Sequence, residues 1–151
     1  DAGLGVPLKG GGPIRGLELN YEQRWLSFDE ALVVTARPTV VVYLPRDWRA
    51  TFSVAVARSA FEGLGAEWRP STSARVSFPV TAAVSGHGFL ATGTENFALR
   101  DQIGRFSART AGGGVRISLP GGQDVSFYLA RQWRDQGRVQ TSVGVWHGVR
   151  F

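Results

Sequence analysis

The chain of 151 residues contains no cysteine, only two histidines, and a single lysine beside sixteen arginines. The absence of cysteine excludes disulfides, thiol catalysis and cysteine-ligated metals. No apolar run reaches the roughly 18 residues that a transmembrane helix needs. A membrane-spanning β-strand is not excluded, because such a strand needs only about ten residues and half of them can be polar. The length corresponds to a single domain.

The net charge of +5 comes almost entirely from arginine. A nucleic-acid interface would gather such charge into one patch, whereas here the arginines are spread along the chain between apolar positions. We therefore expect no nucleic-acid partner, and expect the arginines to pair with carboxylates inside the protein. The twenty glycines, the abundance of Val, Thr, Phe and Trp, and the lack of a helical period indicate an all-β domain.

Alternation of apolar and polar residues divides the chain into two parts. Residues 1–13 are rich in glycine and contain two prolines, which predicts a flexible N-terminal lead-in to a β-barrel domain at 14–151. Eight strands are predicted at 16–25, 32–44, 48–57, 66–80, 84–95, 106–119, 125–133 and 138–151. The fourth is read as one long strand, with a hairpin at 70–73 as the alternative. In the sixth the phase slips within 112–114, which predicts a bulge.

The last predicted strand has its apolar residues on odd numbers, and the chain ends on Phe151. This ending resembles the closing strand of bacterial outer-membrane barrels, whose assembly machinery is known to read a terminal strand that ends in Phe. The resemblance implies that Phe151 is an assembly signal and that the barrel-assembly machinery is a partner.

The predicted connections alternate between short turns and longer loops. Such asymmetry is typical of an antiparallel up-and-down transmembrane barrel, in which short turns face the periplasm and longer loops face outside. An even number of strands places both termini on the periplasmic side. The predicted fold is therefore an eight-stranded barrel with a polar, filled lumen and an apolar exterior.

The outward-phased aromatic residues fall at the two ends of the predicted strands, as a membrane-interface girdle requires. Trp68 and Phe78 share a face ten residues apart, which corresponds to about 25 Å along a tilted barrel axis. The predicted membrane-interface aromatics are Trp25, Trp68, Phe106 and Trp133 at loop ends, and Trp48, Phe78 and Phe151 at turn ends.

Charged residues of both signs occupy the opposite phase and predict a network that fills the lumen, since the interior of an eight-stranded barrel is just wide enough for side chains. The predicted lumen network comprises Glu18, Glu22, Arg24, Arg37, Arg49, Glu67, Arg69, Arg75, Arg105 and Arg109. Periodicity is unchanged when the two faces are exchanged. A soluble lipocalin-like ligand-binding barrel, with the apolar face inward, is therefore an alternative.

Several segments are similar to the barrel of YaiO-type outer-membrane proteins. They are YLPRDW, FEGLGAEW followed by RPSTSARVSFP, GTENF with DQIGRFSA, and the ending GVRF. The resemblance covers most of residues 16–151 and implies a bacterial outer-membrane location, with outer-membrane lipids and lipopolysaccharide as partners. Helical repeats, which precede related barrels in polysaccharide-export proteins, are absent from this sequence.

The run Ser85-Gly86-His87 raises the possibility of a serine hydrolase, since outer-membrane lipid A deacylases are eight-stranded barrels of this size. In the predicted topology His87 and His147 both lie at the periplasmic end, away from lipopolysaccharide in the outer leaflet. No nucleophile, base and acid meet at the loop ends, and no metal-ligand or cofactor motif is present. We predict no catalytic residue, no metal and no cofactor.

The sequence therefore predicts an integral outer-membrane β-barrel with a structural, adhesion, envelope-accessory or narrow-pore role and no catalysis. The alternatives are an outer-membrane lipid-modifying hydrolase of the lipid A deacylase type and the soluble lipocalin-like barrel.

Overall fold

A computed structural model describes residues 2–28, 31–61, 64–96, 105–135 and 137–149. Side chains are described within these ranges except at 9, 28, 31, 59–61, 64–67, 94–96 and 105–106. The described chain is all-β and forms one antiparallel up-and-down sheet in which each strand pairs with its neighbours in sequence. The strands are β1 (Ala2–Lys9), β2 (Gly16–Phe28), β3 (Ala31–Tyr43), β4 (Arg49–Phe61), β5 (Leu64–Pro79), β6 (Val84–Asn96), β7 (Arg105–Leu119), β8 (Gln123–Arg134) and β9 (Val139–Val149).

The two faces of the sheet differ in chemistry. Residues directly opposite each other in adjacent strands share a face, so the register extends each face across all nine strands. We call one the apolar face; one of its cross-strand rows is Val6, Leu19, Val40, Phe52, Ala74, Leu90, Ala111, Arg131 and Thr141. We call the other the polar face; a central row there is Gly5, Asn20, Thr39, Ser53, Ser73, Ala91, Thr110, Gln132 and Gln140.

The predicted eight strands correspond to β2–β9. The long fourth strand is confirmed as β5, which runs unbroken through Pro70. Pro38 causes no bulge in β3, because the register to β4 is the same before it, at Ala36 opposite Val56, and after it, at Thr39 opposite Ser53. A proline costs a strand only the one hydrogen bond that its nitrogen cannot donate.

The N-terminal segment is a strand rather than a flexible lead-in. β1 pairs with β2 along its whole length, with Leu4 opposite Tyr21 and Val6 opposite Leu19. Leu4, Val6 and Leu8 alternate with glycine and proline and so extend the apolar face. The prediction was wrong because glycine and proline content was given more weight than this two-residue period.

The sheet is open, and the predicted closed barrel is not present in it. β1 and β9 are the two edges of the described sheet and are not hydrogen-bonded neighbours. We call the end where β2 joins β3, β4 joins β5, β6 joins β7 and β8 joins β9 the loop end, and the other the turn end. The predicted contrast in length between the two ends is wrong, since strands extend to leave only two residues between β2 and β3 and between β4 and β5.

The predicted bulge in β7 is absent. The register to β6 runs without a shift through Leu90 opposite Ala111 and Gly88 opposite Gly113. The glycines instead clear space for side chains of β6: a Cβ at Gly112 would lie 2.7 Å from the Phe89 ring, and one at Gly114 would lie 2.8 Å from the His87 ring. The first half of β7 consequently has the opposite phase from the predicted one.

The sheet has almost no interior. Among the described residues, the buried hydrophobic side chains are Val41, Ala50 and Ala108, and no large side chain is fully buried. A single layer of strands cannot bury a hydrophobic face without a second layer against it. The apolar face is accordingly open along its whole width.

Candidate functional site

The polar face carries a cavity that crosses six strands. It has a volume of about 410 Å³, and its lining includes Arg37, Ser53, Ser71, Ser73, Thr110 and Gln132. The lining residues extend from β3 to β8, and most of the side chains at its floor are small. The cavity presents hydroxyl and amide groups together with one guanidinium.

Charged groups of both signs meet on the polar face of β2 and β3. The Glu22 carboxylate lies 3.4 Å from the Arg24 guanidinium and 3.6 Å from that of Arg37. The Tyr43 hydroxyl donates a hydrogen bond of 2.8 Å to Glu18. These side chains are about half exposed in the open sheet, so each ion pair contributes at most about 1 kcal/mol there.

A tighter pair lies nearer the turn end. The Arg116 guanidinium donates to the Asp124 carboxylate at 2.7 Å, and the Asp124 side chain is only 14% exposed. The two residues flank the Pro120–Gly122 turn and face each other diagonally across the β7–β8 hairpin. Sequence reasoning did not identify this pair, although the alternation of Val115, Ile117 and Leu119 already indicates that Arg116 lies in the polar phase.

Seven members of the predicted lumen network lie together on the polar face. They are Glu18, Glu22, Arg24, Arg37, Arg49, Arg69 and Arg75. Arg109 is a correction, because it lies opposite Thr92 and Trp133 on the apolar face. The side chains of Glu67 and Arg105 are outside the described set.

Five of the predicted interface aromatics lie on the apolar face. Trp25, Trp68 and Trp133 lie within four residues of the loop end of their strands. Trp48 stacks on Phe78 at the turn end, with ring centroids 5.0 Å apart and an interplanar angle of 26°. The apolar face therefore has aromatic rings near both of its ends.

The other two predicted aromatics are not available for this comparison. The backbone of Phe106 pairs with Glu95 of β6, and its side chain is outside the described set. Phe151 lies outside the described residues altogether.

Three arginines with described side chains lie on the apolar face, which sequence reasoning did not anticipate. The Arg58 guanidinium lies over the Trp68 ring at 5.8 Å, and that of Arg131 lies over the Trp133 ring at 5.6 Å. The third, Arg109, is directly opposite Trp133 in the register. A guanidinium over an indole is a favourable cation–π contact.

The connection after β8 is tied to β7 by Asp135. Its carboxylate accepts a hydrogen bond of 3.1 Å from the Ser107 backbone N–H and a second one from the Ser107 hydroxyl. These hydrogen bonds, and to a smaller extent the charge of Arg109, lower the pKa of Asp135.

The two histidines lie on opposite faces. His87 faces Ser77 and Gly114 on the polar face, whereas His147 faces Val125 on the apolar face and has a ring nitrogen 3.2 Å from the Gln123 side-chain oxygen. In the part of the chain that the structure describes, no three histidine, aspartate or glutamate side chains form a group that could hold a metal ion.

No described helix is long and apolar enough to cross a membrane.

Comparison with known proteins finds no matching family model, no similar curated protein and no similar solved structure. The similarity of the sequence to YaiO-type barrels therefore stays a prediction, and function has to be argued from the sheet itself.

Proposed function

We propose that this protein is an integral bacterial outer-membrane β-barrel, in which β2–β9 close around the polar face and the apolar face contacts lipid. Its role is structural, adhesive or accessory to the envelope, without catalysis. β2 begins and β9 ends at the turn end, which in this proposal faces the periplasm.

The observation that carries the proposal is the uncovered apolar face. The chain exposes 10831 Å², whereas a soluble monomer of 16.3 kDa would expose about 7,500 Å². Side chains such as Val143 and Val145 on β9 are 74% and 65% exposed. Lipid would cover this surface without any second protein layer, since every second residue of a membrane strand faces the acyl chains.

The stagger of the strands supports closure. One cross-strand row on the apolar face joins Leu17 in β2, Ala50 in β4, Gly88 in β6 and Leu129 in β8. From this row to the loop end there are eleven residues in β2 and in β4, eight in β6 and five in β8. The strands do not slip from β2 to β4, and they slip by three residues for every two strands from β4 to β8. The average is about one residue for each strand, and a net slip in one direction is what a closed barrel requires.

The slip also gives the inclination of the strands. One residue of about 3.3 Å for each strand spacing of about 4.8 Å corresponds to a tilt of about 35°, which is in the range of closed barrels. With this tilt, Trp68 and Phe78 are separated by about 27 Å along the axis, close to the height of the apolar band of outer-membrane barrels. The aromatic rings at the two ends then match the two membrane boundaries.

Closure uses β2 and β9 and releases β1. Among nine strands in up-and-down order, β1 and β9 run in the same direction, whereas β2 and β9 run in opposite directions. Pairing of β9 with β2 keeps every pair antiparallel, as in other even-numbered barrels of this kind. β1 then occupies the edge of β2 only in the open sheet, and β9 replaces it.

The contents of the polar face suit a closed interior. Its described side chains within strands include seven arginines and three carboxylates, those of Glu18, Glu22 and Asp124. An eight-stranded barrel leaves little space beyond such side chains. The lumen is therefore filled, and any narrow conductance through it would favour anions because of the arginine excess.

Insertion into lipid tests the proposal. The full chain, refolded in phosphatidylcholine vesicles, is expected to migrate differently on a gel before and after boiling, and to aggregate without lipid or detergent. Two neighbouring substitutions in β5 provide a matched pair. Ala74→Asp on the apolar face should abolish the heat-sensitive band, while Ser73→Asp, which points into the cavity, should retain it. A chain that is monomeric and folded without detergent would overturn the proposal.

The absence of cysteine allows closure to be tested with introduced pairs. A slip of about one residue for each of eight strands brings Ser142 in β9 opposite Leu26 in β2. A disulfide between Leu26→Cys and Ser142→Cys is expected in the inserted protein. The pair Val6→Cys and Leu19→Cys, which are opposite in the open sheet, should not cross-link there. The reverse result would show that β1 stays on β2.

A further inference from the structure

The described arginines of the apolar face all lie towards one end of the sheet. Among the described strand residues on that face, the charged side chains of the lysine, arginine, aspartate and glutamate types are those of Arg58, Arg109 and Arg131. Each lies three or four residues from the loop end of its strand and eight to ten from the turn end. A charged side chain on the lipid face of a barrel costs about 2–4 kcal/mol at the membrane midplane and about 0–1 near the interface. In the proposed barrel these arginines therefore lie near a membrane interface, where their charge costs little.

Two of the three lie beside the same indole. Arg131 stacks over Trp133 two residues away on β8, and Arg109 is opposite Trp133 on β7. The pair brings two guanidinium groups from adjacent strands to one side of the sheet. Asp135 is near Arg109 but is engaged by Ser107, and no carboxylate is described on the apolar face near Arg131.

An apolar groove leads away from this pair. It has a volume of about 1030 Å³, and its lining includes Phe52, Val54, Leu90, Ala111, Arg109 and Trp133. The groove thus has hydrocarbon along its length and guanidinium and indole groups at one end. A ligand with an anionic head and acyl chains would match this arrangement.

We propose that Arg109, Arg131 and Trp133 bind the phosphate head of an acylated glycolipid whose tails lie in the groove. This inference rests on the proposed membrane location. A phosphomonoester carries close to two negative charges at neutral pH, whereas a phosphodiester carries one. Two guanidinium groups match the former, and arginine forms paired hydrogen bonds to phosphate oxygens.

The test uses the full chain in phosphatidylcholine vesicles with three probes: lipid A with two phosphates, the same lipid after dephosphorylation, and inorganic phosphate. Bound lipid is counted by native mass spectrometry after extraction into detergent. Retention of bisphosphorylated lipid A is expected to exceed that of the dephosphorylated lipid, and millimolar inorganic phosphate should not displace it. Equal retention of the two lipids would overturn the inference, and displacement by inorganic phosphate would assign the site to the free ion instead.

Substitutions locate the site. Loss of a hydrogen bond to a charged group weakens binding roughly tenfold or more for each arginine, so Arg109→Gln with Arg131→Gln should reduce retention about a hundredfold. Arg58→Gln, which removes a single guanidinium over Trp68, is the matched control and should leave retention unchanged. Arg109→Lys with Arg131→Lys keeps the charge and should show an intermediate loss.

Each variant is first examined for the heat-sensitive gel band. A double variant that inserts and retains lipid A as the parent does would overturn the inference and leave the membrane proposal standing. Failure of the parent chain to insert would overturn the membrane proposal itself. If the double glutamine variant does not insert, the lysine variant decides, and undiminished retention there would also overturn the inference.

Discussion

Two valines on one face of β9 allow the membrane proposal to be measured as a difference in free energy of unfolding. Val139 begins the strand at the loop end, and Val145 lies six residues further along the same face. At a rise of about 3.3 Å per residue and a tilt of about 35°, the two are about 16 Å apart along the barrel axis. In the proposed barrel, Val139 would lie near the membrane boundary, and Val145 near the middle of the apolar band.

The perturbation is a single arginine at each position. Near the midplane of a barrel, arginine on the lipid face costs about 2–4 kcal/mol, and near the interface about 0–1 kcal/mol. Val145→Arg is therefore expected to lower the free energy of unfolding by roughly 2 kcal/mol more than Val139→Arg, which is about a thirtyfold difference in the unfolding equilibrium. Urea titration of the chain in vesicles, followed by tryptophan fluorescence and by gel mobility, measures the difference.

A water-exposed sheet predicts a different result. Val139 and Val145 are 49% and 65% exposed, and surface substitutions in water change stability by only about 0.5 kcal/mol in either direction. The two variants would then unfold at the same urea concentration. Equal costs, or a larger cost at Val139, would falsify the assignment of the apolar face to lipid.

Three further results are expected from individual contacts. Gly114→Ala should cost about 1–3 kcal/mol, because the added Cβ would lie 2.8 Å from the His87 ring and would also meet the Phe127 carbonyl. Gly88→Ala is the control and should be neutral or slightly stabilising, because its nearest neighbour is 3.8 Å away; the urea midpoints of the two variants measure the difference. Arg116→Ala should cost about 1–3 kcal/mol, because it leaves the Asp124 carboxylate, whose side chain is only 14% exposed, without its guanidinium partner. Arg24→Ala, at a more exposed pair, should cost at most about 1 kcal/mol, and equal costs would contradict this ordering. The pKa of Asp135 is lowered in the folded state, so its stabilising contribution should be full above the ordinary pKa of about 4 and should be lost as the pH falls through the lowered pKa. The difference in urea midpoint between the parent and Asp135→Asn should therefore vanish in acid, and a difference that does not depend on pH would refute this prediction.

The strands whose facing could be predicted from the sequence are those with uninterrupted alternation. In β3 and β4 the apolar residues keep even numbers from Leu32 to Val56, with bulky side chains at nearly every position. A one-residue slip would move all of them to the other face, so the facing of the charged residues between them is fixed as well. The predicted lumen positions on β2–β5 with described side chains accordingly lie on one face.

Whether the sheet is open or closed could not be predicted in the same way, because closure is not a property of any one strand. The sequence predicts a closed barrel, whereas the described sheet is open. It depends on which edge pairs with β9, and the competing edge strand β1 was read as a tether from its glycine and proline content. The alternation of Leu4, Val6 and Leu8 was present in the sequence. Three alternating apolar residues are a weak periodic signal compared with the long alternating runs in β3 and β5.

The three glycines of β7 explain why the facing of Arg109 was predicted wrongly. Residues 112–114 carry no side chains, so the sequence holds no phase information there, and the apolar run that ends in Leu119 was joined to the preceding half through a bulge. The partner strand supplies the missing information: Phe89 and His87 of β6 occupy the space above Gly112 and Gly114, which requires continuous pairing. Continuous pairing moves Arg109 from the polar face to the apolar face, beside Trp133 and Arg131. The three glycines thus determine whether Arg109 lies on the polar face or on the apolar face, where we propose the lipid A site. A residue inserted between Gly113 and Gly114 should move Arg109 to the polar face and abolish the proposed retention of lipid A while preserving the strand.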